Sequence, residues 1–429
     1  MNFDELPVSP ALKRAVKELG YTEATPIQEK SIPIAMQGTD LVAQSKTGSG
    51  KTAAFALPIL DKVQPGGGIQ AIILIPTREL CVQVTNAIQG YGKYKGLRVT
   101  SVYGGVSIEP QFTNLRRAEI VVATPGRTLD HIQRGSIDLS RVKILVLDEA
   151  DKMLEMGFID DIERIIRRIP TERQTMLFSA TIPDDIQRLI QRYIRNPKKI
   201  EIEIYVDHSK LKQVYYEIDS RDKFSLLLHL VKKNLGLTMV FCSTRREVDI
   251  VASNLRFNGV KALAIHGGHT QNKRSKALEA LKSQNINVLV ATDVAARGID
   301  VKDVMFVYNY DSPKSKNDYI HRIGRTAREG KTGEAITLLI QRDHDNFSNV
   351  LRDRTVMIDR EEPGQFARVP MQRGMRDEGP RQFHRGPRRH SSQGQSYGAS
   401  QGGHRRASHP GRSWGQRRSN ADNSRHMHS

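Results

Sequence analysis

Cysteine is nearly absent from this chain. The 429 residues hold two, Cys81 and Cys242, far apart and each in an apolar segment. That excludes a disulfide framework and reads as buried thiols in a reducing cytoplasm. Long apolar runs are missing too: no window approaches 18 uninterrupted apolar residues, which argues against a membrane-spanning helix. The start, MNFDELPVSP, lacks the basic stretch and apolar core of a secretory leader. There is a single tryptophan, Trp414. Acids are the minority charge, 47 against 66 Lys and Arg, so the net charge is +19 and the isoelectric point near 9.9. Such an excess favours a polyanionic partner, nucleic acid foremost. The hydrophobic share, 38%, suffices for two or three packed domains.

What is present is a repeated alternation. LVA (41–43), AIILIP (71–76), VTSVY (99–103), EIVVATP (119–125), KILVLDEA (143–150) and TMLFSAT (175–181) are almost continuously apolar. Such runs belong to a parallel sheet covered on both faces. A second series follows: TMVFCST (238–244), VKALAIHG (260–267), NVLVATD (287–293), VMFVYNY (304–310) and AITLLI (335–340). Between strands, apolar residues recur at helical spacing, as in Val248, Val251 and Leu255 or Ala277, Leu278 and Leu281. Crossover helices joining parallel strands give two successive α/β domains. KKIEIEIYVDHSKLKQV (198–214) separates them, which sets a first domain over 1–205, a hinge over 206–210 and a second domain over 211–356. From 357 to 429 aliphatics nearly vanish, and a disordered tail is expected. Counting from Glu361, that tail holds 13 Arg and no Lys against 5 acids, a surplus of eight positive charges. Its six histidines are too irregularly spaced for a metal site.

After LVA comes QSKTGSGKTAAFALPIL, a Gly-rich turn running into a helix. Thr47, Gly48, Ser49 and Gly50 fit a phosphate-cradling loop of backbone N–H groups, with Lys51 reaching the β- and γ-phosphates and Thr52 ligating Mg²⁺. Ser45 stands where such loops open with glycine. Later, an apolar strand ends in the acids of Asp148-Glu149-Ala150-Asp151. A carboxylate stays out of a core unless a partner holds it. Mg²⁺ on a nucleoside triphosphate supplies that partner, with Asp148 holding the ion and Glu149 orienting and deprotonating the attacking water.

Taken together these residues resemble the DEAD-box family of ATP-dependent RNA helicases, of helicase superfamily 2, over roughly residues 3–345. The resemblance implies two tandem RecA-like domains, ATP and Mg²⁺ as cofactors, and RNA as the partner. GYTEATPIQ (20–28) is similar to the family's Q motif, in which Gln28 would read the adenine edge and Tyr21 stack on the ring, with Phe3 as the accompanying upstream aromatic. PTREL (76–80), YGG (103–105) and TPGR (124–127) resemble segments that grip the RNA backbone, implicating Pro76, Thr77, Arg78, Gly105, Thr124, Pro125 and Arg127. All offer groups suited to phosphate oxygens, none to base edges. SAT (179–181) resembles the motif that couples hydrolysis to strand separation, and Ser179 and Thr181 could bond the acids.

The second series carries ATDVAARGID (291–300) and YIHRIGRTAREG (319–330), similar to motifs V and VI. Asp300 would bind ribose, Thr292 and Gly298 would lie near RNA, and Arg325 and Arg328 are the candidate arginine fingers. His321 would link nucleotide and RNA sites. CSTR (242–245) contributes Arg245, and HGGHTQNKR (266–274) contributes Gly267, Gln271 and Arg274 as RNA contacts. Gly268 and Ala327 depart from the family pattern, which has Asp and Gly there.

The second series has no phosphate loop, so it must complete the first domain's site. ATP and RNA together would close the cleft around one bent strand, prying it from a short duplex; hydrolysis would reopen it. The tail would tether RNA without sequence preference or dock a protein or ribonucleoprotein partner. Nothing requires more than one chain. Two rivals stand beside a helicase: an RNA-annealing protein acting through its tail, and an ATP-gated clamp within a ribonucleoprotein.

Overall fold

The computed structural model describes residues 1–45, 48–202, 210–296, 304–327, 332–352 and 356–372. Thr47, 206–209 of the expected hinge, Gly298, Asp300, Arg328 and the tail past residue 372 lie outside the described residues.

The two apolar series become two seven-stranded parallel sheets. The first contains β1 (Leu41–Gln44), β2 (Ala71–Leu74), β3 (Val99–Val102), β4 (Ile120–Ala123), β5 (Ile144–Asp148), β6 (Gln174–Ser179) and β7 (Lys198–Glu201), in the order β3-β4-β2-β5-β6-β1-β7. The second contains β8 (Leu211–Glu217), β9 (Leu237–Phe241), β10 (Ala262–Ile265), β11 (Val288–Ala291), β12 (Val304–Asn309), β13 (Gly333–Leu339) and β14 (Asp359–Glu361), in the order β10-β11-β9-β12-β13-β8-β14. Renumbered from one, the two orders are identical. Continuous apolar runs arise because both faces are covered: Ala71 and Ile73 of β2 join one core cluster while Ile72 and Leu74 join the other. In β9, Val240 faces one core and Met239 and Phe241 the other.

The segment 198–214 between the domains holds strands at both ends: β7, inside the first domain, pairs with β1, and β8, which opens the second at Leu211, pairs with β13. Only Ile200 of β7 is buried, because an edge strand alternates and does not show a continuous apolar run. One boundary expectation needs correction: the chain after 356 is part of the second domain up to Gln372. β14 pairs with β8, and Phe366, Val369 and Met371 pack on that domain's core. Val369 N–H donates to Ser225 Oγ (3.0 Å), and Gln372 exchanges two hydrogen bonds with the Asn254 amide (2.8 and 2.9 Å). Asp-Arg-Glu shows no strand pattern because its ladder is reinforced by polar contacts: Lys212–Glu361 at 2.7 Å, Arg360–Glu217 at 3.0 Å and Tyr216 OH donating to Glu361 at 2.8 Å.

Candidate active site and RNA cleft

The loop after β1 leads into the helix Lys51–Lys62 through Gly50, whose φ is +91°. A side chain there would collide with the Gln28 amide, so glycine is required sterically as well as conformationally. Gln28 Nε2 donates to the Gly50 carbonyl (2.9 Å) and Gln28 Oε1 accepts from Thr25 N–H (3.0 Å) at the start of the helix Pro26–Met36. The glutamine expected to read adenine is therefore also the strut of the phosphate loop. Ser45, the departure from glycine, is buried, and its hydroxyl accepts from Ser49 Oγ (3.0 Å) while its carbonyl accepts from Lys51 Nζ (3.2 Å). Gly48 (φ +82°) precedes them, and Thr52 is half-buried on the helix. Tyr21 is exposed, edged by Phe3 and Tyr91 at ring-centre distances of 6.2 and 6.1 Å.

At the end of β5, Asp148 and Glu149 are both buried. Glu149 adopts φ +54°, ψ +48°, a left-handed conformation that a non-glycine residue holds only where the surroundings dictate it. Burial, reinforced by the Glu149 charge, pushes the Asp148 carboxyl up against the opposing pull of Lys51. Burial would raise Glu149 as well, but Lys152, Lys51 and Arg325 more than offset it and hold the group ionised. Glu149 Oε1 pairs with Lys152 Nζ at 2.6 Å; its Oε2 is buried with no hydrogen-bond partner among the described residues.

Asp151 ties the acids to β6. Its Oδ2 accepts from Ala180 N–H (3.1 Å), Thr181 N–H (2.9 Å) and Thr181 Oγ1 (3.2 Å), while its own N–H donates to Ser179 Oγ (3.1 Å). Ser179 in turn donates to the Thr181 carbonyl (2.7 Å). Asp151 and Lys152 had no role assigned from the sequence. A lysine three residues past Glu149 was the available signal, since i and i+3 share a helix face.

The second sheet brings its motifs against these acids. His321, on the helix Lys316–Ile323, has Nε2 3.8 Å from Asp151 Oδ2. Burial, then Lys152, pushes its imidazole down to about 4. Arg325 is buried where its charge bears on Glu149. Arg322 is consumed within its own domain by a two-pronged pair with Asp293 (2.6 and 2.8 Å) and a bond to the Asp311 carbonyl (2.6 Å). Ala327, where the family has glycine, sits at φ +54°, so the departure leaves a side chain in a region glycine tolerates better.

A cleft of about 460 Å³ runs between the sheets, lined by Pro76, Thr77, Arg78, Thr124 and Arg127 on one side and by Gly267, His269 and Arg274 on the other. Helix starts supply much of this lining: Thr77 Oγ1 caps the helix Arg78–Tyr91, and Pro125 opens the helix Pro125–Gln133. The Arg78 guanidinium lies directly on Gly105 (φ +81°), so a side chain there would have to displace it. Arg245 lies beside Gly267 at ordinary contact distance, 3.4 Å from where a side chain would begin. Thr292 caps the short helix Asp293–Ala296, its Oγ1 accepting from Ala295 N–H at 3.4 Å. Buried Glu79 was not foreseen. It receives Gln271 Nε2 (3.2 Å) and Arg274 (3.0 Å) across the cleft and so joins the two domains.

The profile of DEAD/DEAH box helicases matches residues 25–189, and that of the helicase conserved C-terminal domain matches residues 222–330. The chain is 42% identical over 365 residues to the DEAD-box ATP-dependent RNA helicase CshA of Geobacillus kaustophilus, covering 84% of this chain and 78% of the relative. It is 46% identical over 345 residues to the ATP-dependent RNA helicase CshA of Listeria monocytogenes, covering 80% and 66%. Among solved structures, S. cerevisiae Dbp5 bound to RNA and ADP BeF3 agrees with a TM-score of 0.78 at 31% identity, covering 84% of this chain and 96% of that one. A DEAD box protein from the hyperthermophile Methanococcus jannaschii is 42% identical, with a TM-score of 0.53 and coverage of 84% and 99%. With the phosphate loop, the buried acids and the facing arginine already assembled across two matching sheets, this chain belongs to the DEAD/DEAH box helicase family.

Proposed function

We propose that this ATP-dependent RNA helicase divides its chemistry between the domains as follows. Lys51 and the backbone of residues 47–50 bind the phosphates of ATP, and Gln28 and Tyr21 take the adenine. The oxygen donors of Thr52 and Asp148 fit Mg²⁺, which would neutralise phosphate charge. Glu149 Oε2, the oxygen not bound to Lys152, accepts the proton of the attacking water. Arg325, with Arg328, faces the γ-phosphate, and Asp300 takes the ribose. The observation carrying this reading is the burial of Arg325 against Glu149, since a first-domain base and a second-domain cation then act only when the cleft is closed. The likeness to S. cerevisiae Dbp5 bound to RNA and ADP BeF3, with a TM-score of 0.78, supports a closed arrangement.

RNA lies in the cleft between Arg78, Gly105, Thr124 and Arg127 on one wall and Arg245, Gly267, Gln271, Arg274 and Thr292 on the other, with Gly298 as a further RNA contact of the second domain. These groups hold phosphates and 2′-OH groups without reading sequence. The Asp151, Ser179, Thr181 and His321 network links cleft closure to the acids. One chain suffices, because both halves of the site come from it. The basic tail adds RNA affinity, or docks a protein or ribonucleoprotein partner, and the cytoplasm suits the two buried thiols.

The test is ATP hydrolysis with single-stranded RNA or single-stranded DNA, in the wild type, Glu149→Gln and a chain ending at Gln372. Stimulation by RNA alone, lost in Glu149→Gln and retained with weaker RNA affinity in the shortened chain, is the expected result. Hydrolysis indifferent to RNA, or undiminished in Glu149→Gln, would overturn this reading and leave RNA annealing through the tail as the activity.

A further inference from the structure

The turn that follows β10 holds a cluster that the helicase cycle does not use. His266 is buried, His269 lies three residues on, and their rings approach to 3.7 Å between centres. Asp249, on the helix Arg245–Phe257, points at both: its Oδ1 is 2.9 Å from His266 Nε2 and 3.5 Å from His269 Nε2. One donor atom from each of the three residues fits within a span of 4.8 Å.

Zinc bonds nitrogen and carboxylate oxygen at about 2.0–2.1 Å in a tetrahedral shell, which separates neighbouring donors by about 3.3 Å. The two measured separations, 2.9 and 3.5 Å, lie on either side of that value. Two imidazoles and one carboxylate favour a first-row transition ion over Mg²⁺, which demands oxygen. We propose that Asp249, His266 and His269 bind one Zn²⁺ ion, with the fourth position left to water on the side where His269 lines the RNA cleft.

Binding rearranges one proton. The Gly268 N–H donates to His266 Nδ1 (3.1 Å), so the His266 proton is on Nε2 and faces Asp249. The ion takes the Nε2 lone pair, the proton passes through water to Nδ1, and the Gly268 amide turns away. The site is thereby coupled to the turn that presents Gly267 and starts the helix Gln271–Lys282, whose Gln271 and Arg274 reach Glu79. Arg245, lying against Gly267, works against a second cation and restrains the affinity.

Zinc uptake by the full chain, measured in competition with a chromogenic chelator, tests this together with the visible absorption of the Co²⁺-loaded protein. The wild type should bind one more equivalent than His269→Leu or Asp249→Asn and should show tetrahedral Co²⁺ bands that both variants lose. Loss of a direct ligand should weaken binding by more than the roughly 10–100-fold associated with a ligand's supporting partner. Comparing full chains cancels any zinc held by the histidines past residue 372, and thermal unfolding verifies that each variant is folded. Equal uptake and equal Co²⁺ spectra in wild type and both folded variants would overturn the proposal, leaving a hydrogen-bonded His–Asp pair with a stacked second histidine.

Discussion

The two domains are the same sheet built twice, yet they treat a lysine and an aspartate at matching places in opposite ways. In the first, Lys51 begins the helix after β1 and Asp148 ends β5; Lys51 Nζ donates to the Ser45 carbonyl and has no ion pair with an acid among the described residues. In the second, Lys223 begins the helix after β8, the counterpart of β1, and Asp311 follows β12, the counterpart of β5. These two close on each other at 3.0 Å, with Asp343 3.9 Å away and Lys223 Nζ 4.5 Å over the Tyr310 ring. The second domain has neutralised internally the charges that the first leaves apart, the lysine and aspartate we propose for a phosphate and a cation. In that proposal one fold serves once as a catalyst and once as the wall that completes it.

That contrast can be broken from either side. Glu149→Gln should lower RNA-stimulated hydrolysis per folded molecule by about 10²–10⁴-fold, because it removes a base, and should also lower the unfolding temperature, because buried Lys152 keeps only an amide oxygen as its partner. Steady-state kinetics beside a thermal melt would show this, and an unaltered rate would take Glu149 out of the mechanism. Lys223→Met should cost stability alone. Stranding buried Asp311 costs about 3–5 kcal/mol of stability, read from denaturant unfolding, with hydrolysis retained by the molecules that remain folded. A loss below about 1 kcal/mol would mean the pair is solvated and the contrast with Lys51 is only apparent.

A smaller effect concerns pH. His321 is held at about 4, below the ordinary 6.5, so the closed arrangement binds fewer protons than the open one. Its contribution to closure is complete above pH 6.5 and is lost as pH falls toward about 4, by at most about 1.4 kcal/mol per pH unit. Half-saturating RNA should therefore rise up to about tenfold per unit below pH 6.5, and His321→Gln should flatten that slope. Smaller again, Ala327→Gly should stabilise the protein by no more than about 1 kcal/mol, since relief of the left-handed conformation is partly offset by the freedom glycine gains when unfolded. A melting temperature that falls would show that the Ala327 side chain contributes packing.

Much of this was legible in advance because it is local. The phosphate loop, the acids at a strand end and the two apolar series announce themselves through spacing and glycine, and the sheets follow from them. Where the reading erred, the signal was weak for a physical reason. β14 is an edge strand whose outer face meets water, so Asp-Arg-Glu looks like tail. Glu79, Asp151 and Lys152 act through partners that are distant in sequence or hidden in a turn, and a common acid or lysine says nothing of that by itself.

Sequence alone determined the alternation of strand and helix, the single phosphate loop and the family, because each depends on residue types a few positions apart. The tertiary structure alone decided that Gln28 braces Gly50, that Glu79 and Asp151 meet residues of the other domain, and that Lys223 spends its charge on Asp311. Whether a buried charge is available or neutralised depends on which groups the folded chain brings within about 4 Å, and that distance is set by packing rather than by spacing along the chain.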